Sequence, residues 1–491
     1  MVAAACSSGG GSGGAAATPA RPGEVRIAVG EDIWPLTGTG PTSRSFAAGE
    51  LSVGVYEPLL ALGPDDAVRP GLAERWELVS PTTWRFHLRP SVRFHDGRPF
   101  GADDVVWSWT GRELMPRSVS ATLDKVVKVD DLTVDFVTSV PNLRLPEQVV
   151  HPEGPIVPRG GHNDSTPPVG TGPFKVVDYR PRQQVVVERN DDYWGDKAKA
   201  HRLTFRFMPD PQVRADALRS GEVDMAVDLA ADALAAVGAD RMFHVVRAPI
   251  GATQVLAFGS SGPLSADQAL RQAVSLAVDR NKYVADVLGG TGEPGRWTAP
   301  PAVLGAAADT VGPSPFDPDR ARRLLDDAGW KPGPDGVRAN GSRRLDVTMV
   351  AGPGVPEAGA RLVAGELRDV GIGASVKKAA DTVTYQQYRD KGFDLDLTMP
   401  NQNDANPAFL VAGRTSPDAE YAALIATSVS AADRADVQRA AAAMMRIIVN
   451  RDFTLVPVAG VARTYAMRAG VELAQPHPSA INQTWTSVST S

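Results

Sequence analysis

Leu345 to Val350 reads as a strand, Pro356 to Val370 as a helix closed by Gly371, and Ala374 to Lys378 as a second strand. A strand, a covering helix and a strand in that order predict parallel pairing within one helix-covered sheet. Phe393 to Met399 supplies another strand, and Leu270, Val274, Ala277, Val278 and Val284 recur at core-facing helical spacings. Asp317-Pro318 opens a helix, Asp capping free amides and Pro fitting the first position, and Gly329 closes it. The last long helix is expected over Asp433 to Asn450, with a strand from Phe453 to Val458.

The first half carries more strand than helix. Val25 to Gly30 alternates like a half-buried strand, and Trp84, Phe86 and Leu88 alternate with Arg85, His87 and Arg89. Val92 to His95 follows with an Asp96-Gly97 turn, which reads as a hairpin. Asp103 and Asp104 mark a helix start. After the Gly170-Thr171-Gly172-Pro173 turn come strands at Phe174 to Tyr179, Gln184 to Arg189 and Arg202 to Met208, a helix from Pro211 to Ser220 ended by Gly221, and a strand from Val223 to Val227. Two α/β lobes with a boundary near residues 250 to 265 account for this order, and a cleft between lobes is the default ligand site.

Bulk numbers narrow the function. At 491 residues the chain is too long for one small core. With 51 Lys+Arg against 57 Asp+Glu the net charge is -6, so no basic field exists to attract nucleic acid. No window of eighteen or more apolar residues spans a bilayer, so membrane contact is expected only through a lipid. Cys6 is the single cysteine, which leaves stability to packing. It lies between Ala3-Ala4-Ala5 and a Ser/Gly run, the setting that lipid attachment of an exported protein requires. The tether to Gly23 would span on the order of 20 to 25 Å as a coil, enough to clear headgroups. An incidental cysteine in a Gly/Ser run is the alternative.

Catalytic patterns do not accumulate. The sequence contains no G-x-S-x-G, H-E-x-x-H or G-x-x-x-x-G-K-[ST], and its seven histidines are scattered without zinc spacing. His87 and His95 are expected as exposed polar positions on the outward face of the hairpin, in preference to a metal pair. Gly170-Thr171-Gly172 precedes a strand and lacks a third glycine, which sets it apart from a dinucleotide fingerprint. No cofactor is expected, and no enzymatic activity.

Several segments in order resemble one family. They are Tyr56 to Leu60, Pro70 to Glu77, Trp84 to Arg89, Val92 to Gly97, Ala102 to Trp109, Pro168 to Phe174, Glu188 to Gly195, Ala217 to Asp224 and Leu270 to Val274. The chain is similar to the extracellular solute-binding proteins of the peptide/nickel class, which serve ABC importers. The resemblance implies an α/β, bilobal periplasmic-binding-protein-like fold with an extra subdomain in the N-terminal lobe. On this sequence, residues 1–23 would be signal remnant and tether. Residues 24–52, 169–257 and 459–491 would form the core of the first lobe, 53–168 its inserted subdomain, and 258–458 the second lobe.

A closing cleft works by differential affinity, so its ligand must touch both lobes. Candidate contacts are therefore polar or aromatic residues at strand ends: Trp34, Thr171, Gln254, Arg296, Trp297, Asn401, Asn403 and Asp404. Asp404 matches an acidic position that, by the resemblance, receives a ligand's free amine. Trp34 and Trp297 read equally well as packing aromatics, and Asp404 as a turn residue. Two departures from the family pattern, Phe258-Gly259 and the aromatic-free Pro400-Asn401-Gln402-Asn403, leave room for a small polar solute other than a standard peptide. The expectation is a monomeric, lipid-anchored receptor on the outer face of the cytoplasmic membrane, holding an oligopeptide or similar solute for an ABC permease. The alternative is a cell-envelope accessory or regulatory protein that keeps the fold and acts through protein contacts.

Overall fold

A computed structural model of the chain describes residues 22–30, 54–63, 67–110, 122–150, 154–160, 168–260, 262–299, 301–380, 382–399, 419–476 and 485–490. Cys6 and the candidate residues Trp34, Asn401, Asn403 and Asp404 lie outside the described residues.

Strand β1 (Glu24–Val29) enters the main sheet at once. A separate four-stranded antiparallel sheet follows, made of β2 (Ala73–Ser80), β3 (Thr83–Leu88), β4 (Leu123–Asp130) and β5 (Thr133–Thr138) in the order β2-β3-β5-β4. Helix α1 (Ala102–Thr110) covers it, and the short α2 (Leu145–Gln148) follows. The chain then returns through β6 (Phe174–Arg180), β7 (Gln184–Arg189), β8 (Arg202–Phe207), α3 (Pro211–Ser220), β9 (Met225–Val227) and the long β10 (Phe243–Phe258). Next come α4 (Gln268–Ala277), α5 (Arg280–Asp286), α6 (Pro318–Asp327), β11 (Asp346–Ala351), α7 (Glu357–Asp369), β12 (Gly373–Lys378), α8 (Thr382–Asp390) and β13 (Leu395–Thr398). Helices α9 (Ala419–Ser430) and α10 (Arg434–Met445) precede the long β14 (Leu455–Arg468).

Local signals in the sequence explain most of these boundaries. Asp210 accepts hydrogen bonds from the amides of Gln212 and Val213 at the head of α3, and Gly221 ends it at φ 75°. Asp317 caps α6 through the Arg320 amide. Gly371 adopts φ 92° after α7, a conformation that a side chain would strain. β11 and β12 pair in parallel from Asp346 opposite Gly373 to Ala351 opposite Lys378, as strand, helix and strand in sequence predict.

The main sheet has eleven strands among the described residues, in the path β12-β11-β13-β10-β14-β9-β1-β8-β7-β6, with the two-residue strand Glu293–Pro294 added on β14. Its centre is the antiparallel pair β10 and β14, which runs from Phe243 opposite Arg468 to Ala257 opposite Leu455. Three register shifts interrupt it, between Arg247 and Ile250, Ile250 and Ala252, and Gln254 and Val255, and such bulges bend a ladder locally. Separate hydrophobic clusters cover the two halves of the sheet. Leu256, Val347, Met349, Val363 and Leu397 belong to one, Val255, Met444, Ile448 and Leu455 to a second, and Ile27, Phe174, Phe205 and Tyr465 to a third. The four-stranded sheet has its own core around Phe86, Trp109 and Phe136. Among the described residues no helix is long and apolar enough to cross a membrane.

The borders expected at 257/258 and 458/459 fall within the long strands β10 and β14. Three other sequence expectations change. The strand expected at Phe453 to Val458 is β14, which starts at Leu455 and continues to Arg468 because its second half pairs with β9 and with the start of β10. The last long helix ends as a regular α-helix at Met445 and continues as π-helix over Arg446–Arg451. The Asp96-Gly97 turn forms, but it closes only a bridge between Arg93 and Pro99, while β3 pairs with β2 and β5.

Arg280 ties α5 to the central ladder. Its guanidinium is buried, donates to the carbonyl oxygens of Pro457, Ser275 and Val278 and to the Ser275 hydroxyl, and has its pKa lowered to about 10 by that burial. A lysine has no planar fork to reach these acceptors together. Arg280→Lys should lower unfolding free energy by about 1–3 kcal/mol, read as a shift in urea midpoint with the slope unchanged.

Candidate functional site

The three parallel strands β11, β12 and β13 end together beside the central ladder. Open α/β sheets bind ligands outside the carboxyl ends of their strands. Here that edge carries a polar cluster. The Tyr385 phenol on α8 lies 2.9 and 2.7 Å from the two Asp396 carboxylate oxygens and 3.0 Å from the Thr398 hydroxyl. Asp396 is buried within β13, with Arg389 at 3.6 Å. Burial, and then the charge of Asp396, push the Tyr385 phenol above its ordinary range and keep it a proton donor. Lys378, at the end of β12, donates to the carbonyl oxygens of Gly352, Pro353 and Ala379 at 2.7, 3.2 and 2.8 Å, fixing the loop that follows β11.

Gln254 reaches this edge from β10. Its side-chain oxygen accepts from the Tyr283 phenol at 2.6 Å, and its amide nitrogen donates to Gly354 at 3.4 Å. Its neighbour Val255 pairs with Thr398, the last residue of β13. The structure therefore brings Gln254 to the strand end from which the chain runs on toward Asn401, Asn403 and Asp404. Gln254, Ala459 and Pro294 lie in one row across three strands, and Arg296 and Trp297 follow two residues on. The Arg296 guanidinium donates to the carbonyl oxygens of Val311 and Asp309 and lies 5.2 Å from the Trp297 ring centre. Trp297 donates its indole N–H to Ala308 at 2.9 Å and packs on the cluster around Ile448.

Thr171 occupies a different place, the joint between the four-stranded subdomain and the first half of the main sheet. A Cβ at Gly170 would lie 1.9 Å from the Val55 carbonyl oxygen, and one at Gly172 2.6 Å from that of Gly54, so this turn requires glycine on both sides of Thr171. Behind it the buried Glu57 accepts from the Tyr193 phenol at 2.6 Å and the Trp194 indole at 3.0 Å, and Arg89 stacks over Trp194 at 4.3 Å. The Thr171 hydroxyl is buried without a full hydrogen bond, yet it favours the ionised carboxylate. His95 seals the other side of the turn. Gly170 N–H donates to its Nδ1 at 3.2 Å, so Nε2 carries the proton and donates to Gly172 at 3.0 Å. The exposed, outward-facing position expected for His95 is thus corrected: both ring nitrogens are engaged in a largely buried joint. His87 pairs with Glu77 at 3.1 Å.

Sequence reading missed Lys378, Tyr385 and Asp396. A carboxylate within the apolar strand Leu395-Asp396-Leu397 was the available signal. Among the described residues no three His, Cys, Asp or Glu side chains converge as metal ligands.

Residues 67–420 match the model of the bacterial extracellular solute-binding proteins, family 5 Middle. The chain belongs to this family. It is accordingly a solute-binding protein of an ABC importer, not an enzyme, and its place is the cell envelope. It is 27% identical over 401 residues to the nickel-binding periplasmic protein of Escherichia coli, covering 77% of this chain and 75% of that one. It is 31% identical over 382 residues to protein XP55 of Streptomyces lividans, covering 74% and 67%. The oligopeptide-binding protein AppA of Bacillus subtilis, solved with a nonapeptide, superposes with a TM-score of 0.83 at 20% identity over 96% of this chain and 100% of that chain. The bilobal periplasmic-binding-protein fold expected from the sequence is therefore the fold of this chain.

The joint predicts a compensated pH response. Burial raises Glu57 from the ordinary 4.5 to about 7, against the opposing pull of Tyr193, Trp194, Thr171 and Arg89. Burial lowers His95 from 6.5 to about 4, against the pull of the Gly172 carbonyl. Between pH 4.5 and 7 the folded chain keeps a Glu57 proton that the unfolded chain has lost, so this group's stabilisation falls as pH rises. Between pH 4 and 6.5 the unfolded chain binds a His95 proton that the folded chain refuses, so that contribution rises with pH. The two slopes offset each other. Glu57→Gln should expose the rising slope and His95→Gln the falling one, each up to roughly 3 kcal/mol across its window in urea unfolding.

Proposed function

We propose that this protein captures an oligopeptide or a similar small polar solute between its lobes and hands it to a membrane permease. The observation that carries this reading is the polar edge formed by Lys378, Tyr385, Asp396, Thr398 and Gln254, set at the carboxyl ends of parallel strands and against the ladder that both halves share. A peptide presents an ammonium, a carboxylate and a row of amides. The candidate contacts Trp34, Asn401, Asn403 and Asp404, with Gln254, Arg296 and Trp297, supply acceptors, donors and aromatic faces for such a guest. Asp404 would receive its ammonium and Arg296 its carboxylate. Thr171 is buried in the glycine turn of the joint. Relatives named for dipeptides, di/tripeptides and nickel support the choice of a small polar solute.

Division of labour follows from the same reading. Residues 24–52, 169–257 and 459–491 form one jaw with the 53–168 insert, and 258–458 forms the other. The protein works as a monomer, attached to the outer face of the cytoplasmic membrane by a lipid on Cys6. Cys6→Ser, expressed in full, should move the protein from the detergent phase to the aqueous phase in a phase-partition assay; equal partitioning of both forms would remove the anchor.

Calorimetry against a di- to nonapeptide library and against nickel-histidine complexes tests the ligand. Peptide binding should release heat and change the fluorescence of the nine tryptophans. Binding of the nickel complex alone would replace peptide by a metal chelate as cargo, and silence toward both would overturn solute capture. Asp404→Asn should weaken peptide binding by about tenfold or more if a charge-assisted ammonium contact is lost.

A further inference from the structure

A small polar contact spans the two halves far from the central ladder. The Leu143 N–H donates to the Val429 carbonyl oxygen at 3.0 Å, and Arg144 Nη2 donates to the Ala432 carbonyl oxygen at 3.2 Å. Leu143 and Arg144 belong to the four-stranded subdomain, where neighbouring Leu145 and Val149 pack with Leu59, Phe86 and Phe136. Val429 lies in the last turn of α9, whose Tyr421 packs with Met444, Ile448 and Leu455, and Ala432 lies two residues past that helix, next to Asp433 at the head of α10. These are separate hydrophobic clusters, joined in this region by hydrogen bonds rather than by a common core.

The donors are held ready before they meet their acceptors. Asn142 is fully buried, and its amide nitrogen donates to the Thr122 hydroxyl at 3.0 Å and to Gln148 at 3.1 Å. Its side-chain oxygen accepts from the Arg144 N–H at 3.0 Å, and its backbone oxygen accepts from the Trp84 indole at 2.8 Å. Arg144 is aimed further by Glu147, at 2.8 Å. The acceptors are of a kind that seeks such partners. The Val429 carbonyl is in the last turn of α9, where carbonyls lack intrahelical donors, and the Ala432 carbonyl is in the connection between α9 and α10. Beside the contact lies a cavity of about 460 Å³, lined among others by Trp76, Trp84, Pro146, Glu147 and Arg434. The hydrophobic clusters on either side of this contact are separate, so parting it divides neither of them.

We propose that the Leu143–Glu147 segment is a closure clasp, which caps the end of α9 on the opposite jaw when the jaws are together and lets go when they open. The inference rests on the reading of this protein as a closing receptor, and it places part of the energy of the closed state outside the ligand site. The ligand then needs to supply only the remainder, and the clasp sets how much of the unliganded protein is already closed.

Spin labels at Val79→Cys on β2 and Ala423→Cys on α9, both exposed positions, in a Cys6→Ser background, report the distance between the two jaws by pulsed electron resonance without any ligand. Arg144→Gln should shift the closed-to-open ratio by about five- to tenfold toward open, the expected effect of losing one charged hydrogen bond. Arg144→Lys keeps a cationic donor for the Ala432 carbonyl and should retain most of the closed fraction. A distance distribution in Arg144→Gln identical to the parent's, with an unchanged melting curve, overturns the clasp. An equal shift in both variants overturns the role assigned to the charge. Failure of solute capture would show separately, as absent heat with peptides while the label distances still respond to Arg144.

Discussion

Strands Phe243–Phe258 and Leu455–Arg468 place both halves of the molecule on a single ladder. Nearly every other feature follows from that sharing. The parallel strands of the second lobe join one end of the ladder through Leu395–Thr398, and the strands of the first lobe join the other through Met225–Val227. Two long strands interrupted by bulges make this ladder the covalent crossing between the halves. The polar edge with Gln254 and Asp396 lies beside it.

Around this ladder the molecule divides into stiff and separable contacts. The joint at Gly170-Thr171-Gly172 is stiff. Backbone approaches that exclude any Cβ, a buried carboxylate with two donors and a histidine bonded through both nitrogens leave it no second arrangement. It packs the four-stranded subdomain against the first half of the main sheet, where Val55, Tyr56 and Val157 join the cluster of Ile27 and Phe174. Between the four-stranded subdomain and α9 the contact is of another kind: one hydrogen bond to the last turn of the helix and one just past it, beside a cavity. A binding protein needs both kinds, a rigid jaw to keep its guest's partners in register and a weak lip whose free energy stays comparable with that of a ligand.

Much of the fold was legible because its determinants are local. Asp210 and Gly221 bound one helix, Asp317 opens another, Gly371 ends a third, and their periodic apolar residues state which face is covered. The strands that end near the candidate site were equally readable, since Leu345 to Val350, Ala374 to Lys378 and Phe393 to Met399 follow from local pattern alone. His95 was misjudged because alternation along a strand says which side a residue takes but not what later packs against that side, and here a turn seventy-five residues away does so. Asp396, Tyr385 and Lys378 escaped for a related reason. A buried carboxylate is tolerable only with its partners, and those partners come from a different helix and strand.

The sequence by itself determined the helix ends, the parallel order of the second lobe and the family to which the chain belongs, since each rests on residues adjacent or at fixed spacing. Only the tertiary structure decided that β10 and β14 run unbroken through the expected lobe borders, that Glu57 and His95 face the same turn, and that Arg144 meets the Ala432 carbonyl nearly three hundred residues later. The physical reason is that hydrogen-bond partners and burial depend on which distant surfaces are brought together. Periodicity along a chain carries the shape of each surface but not the identity of its neighbour.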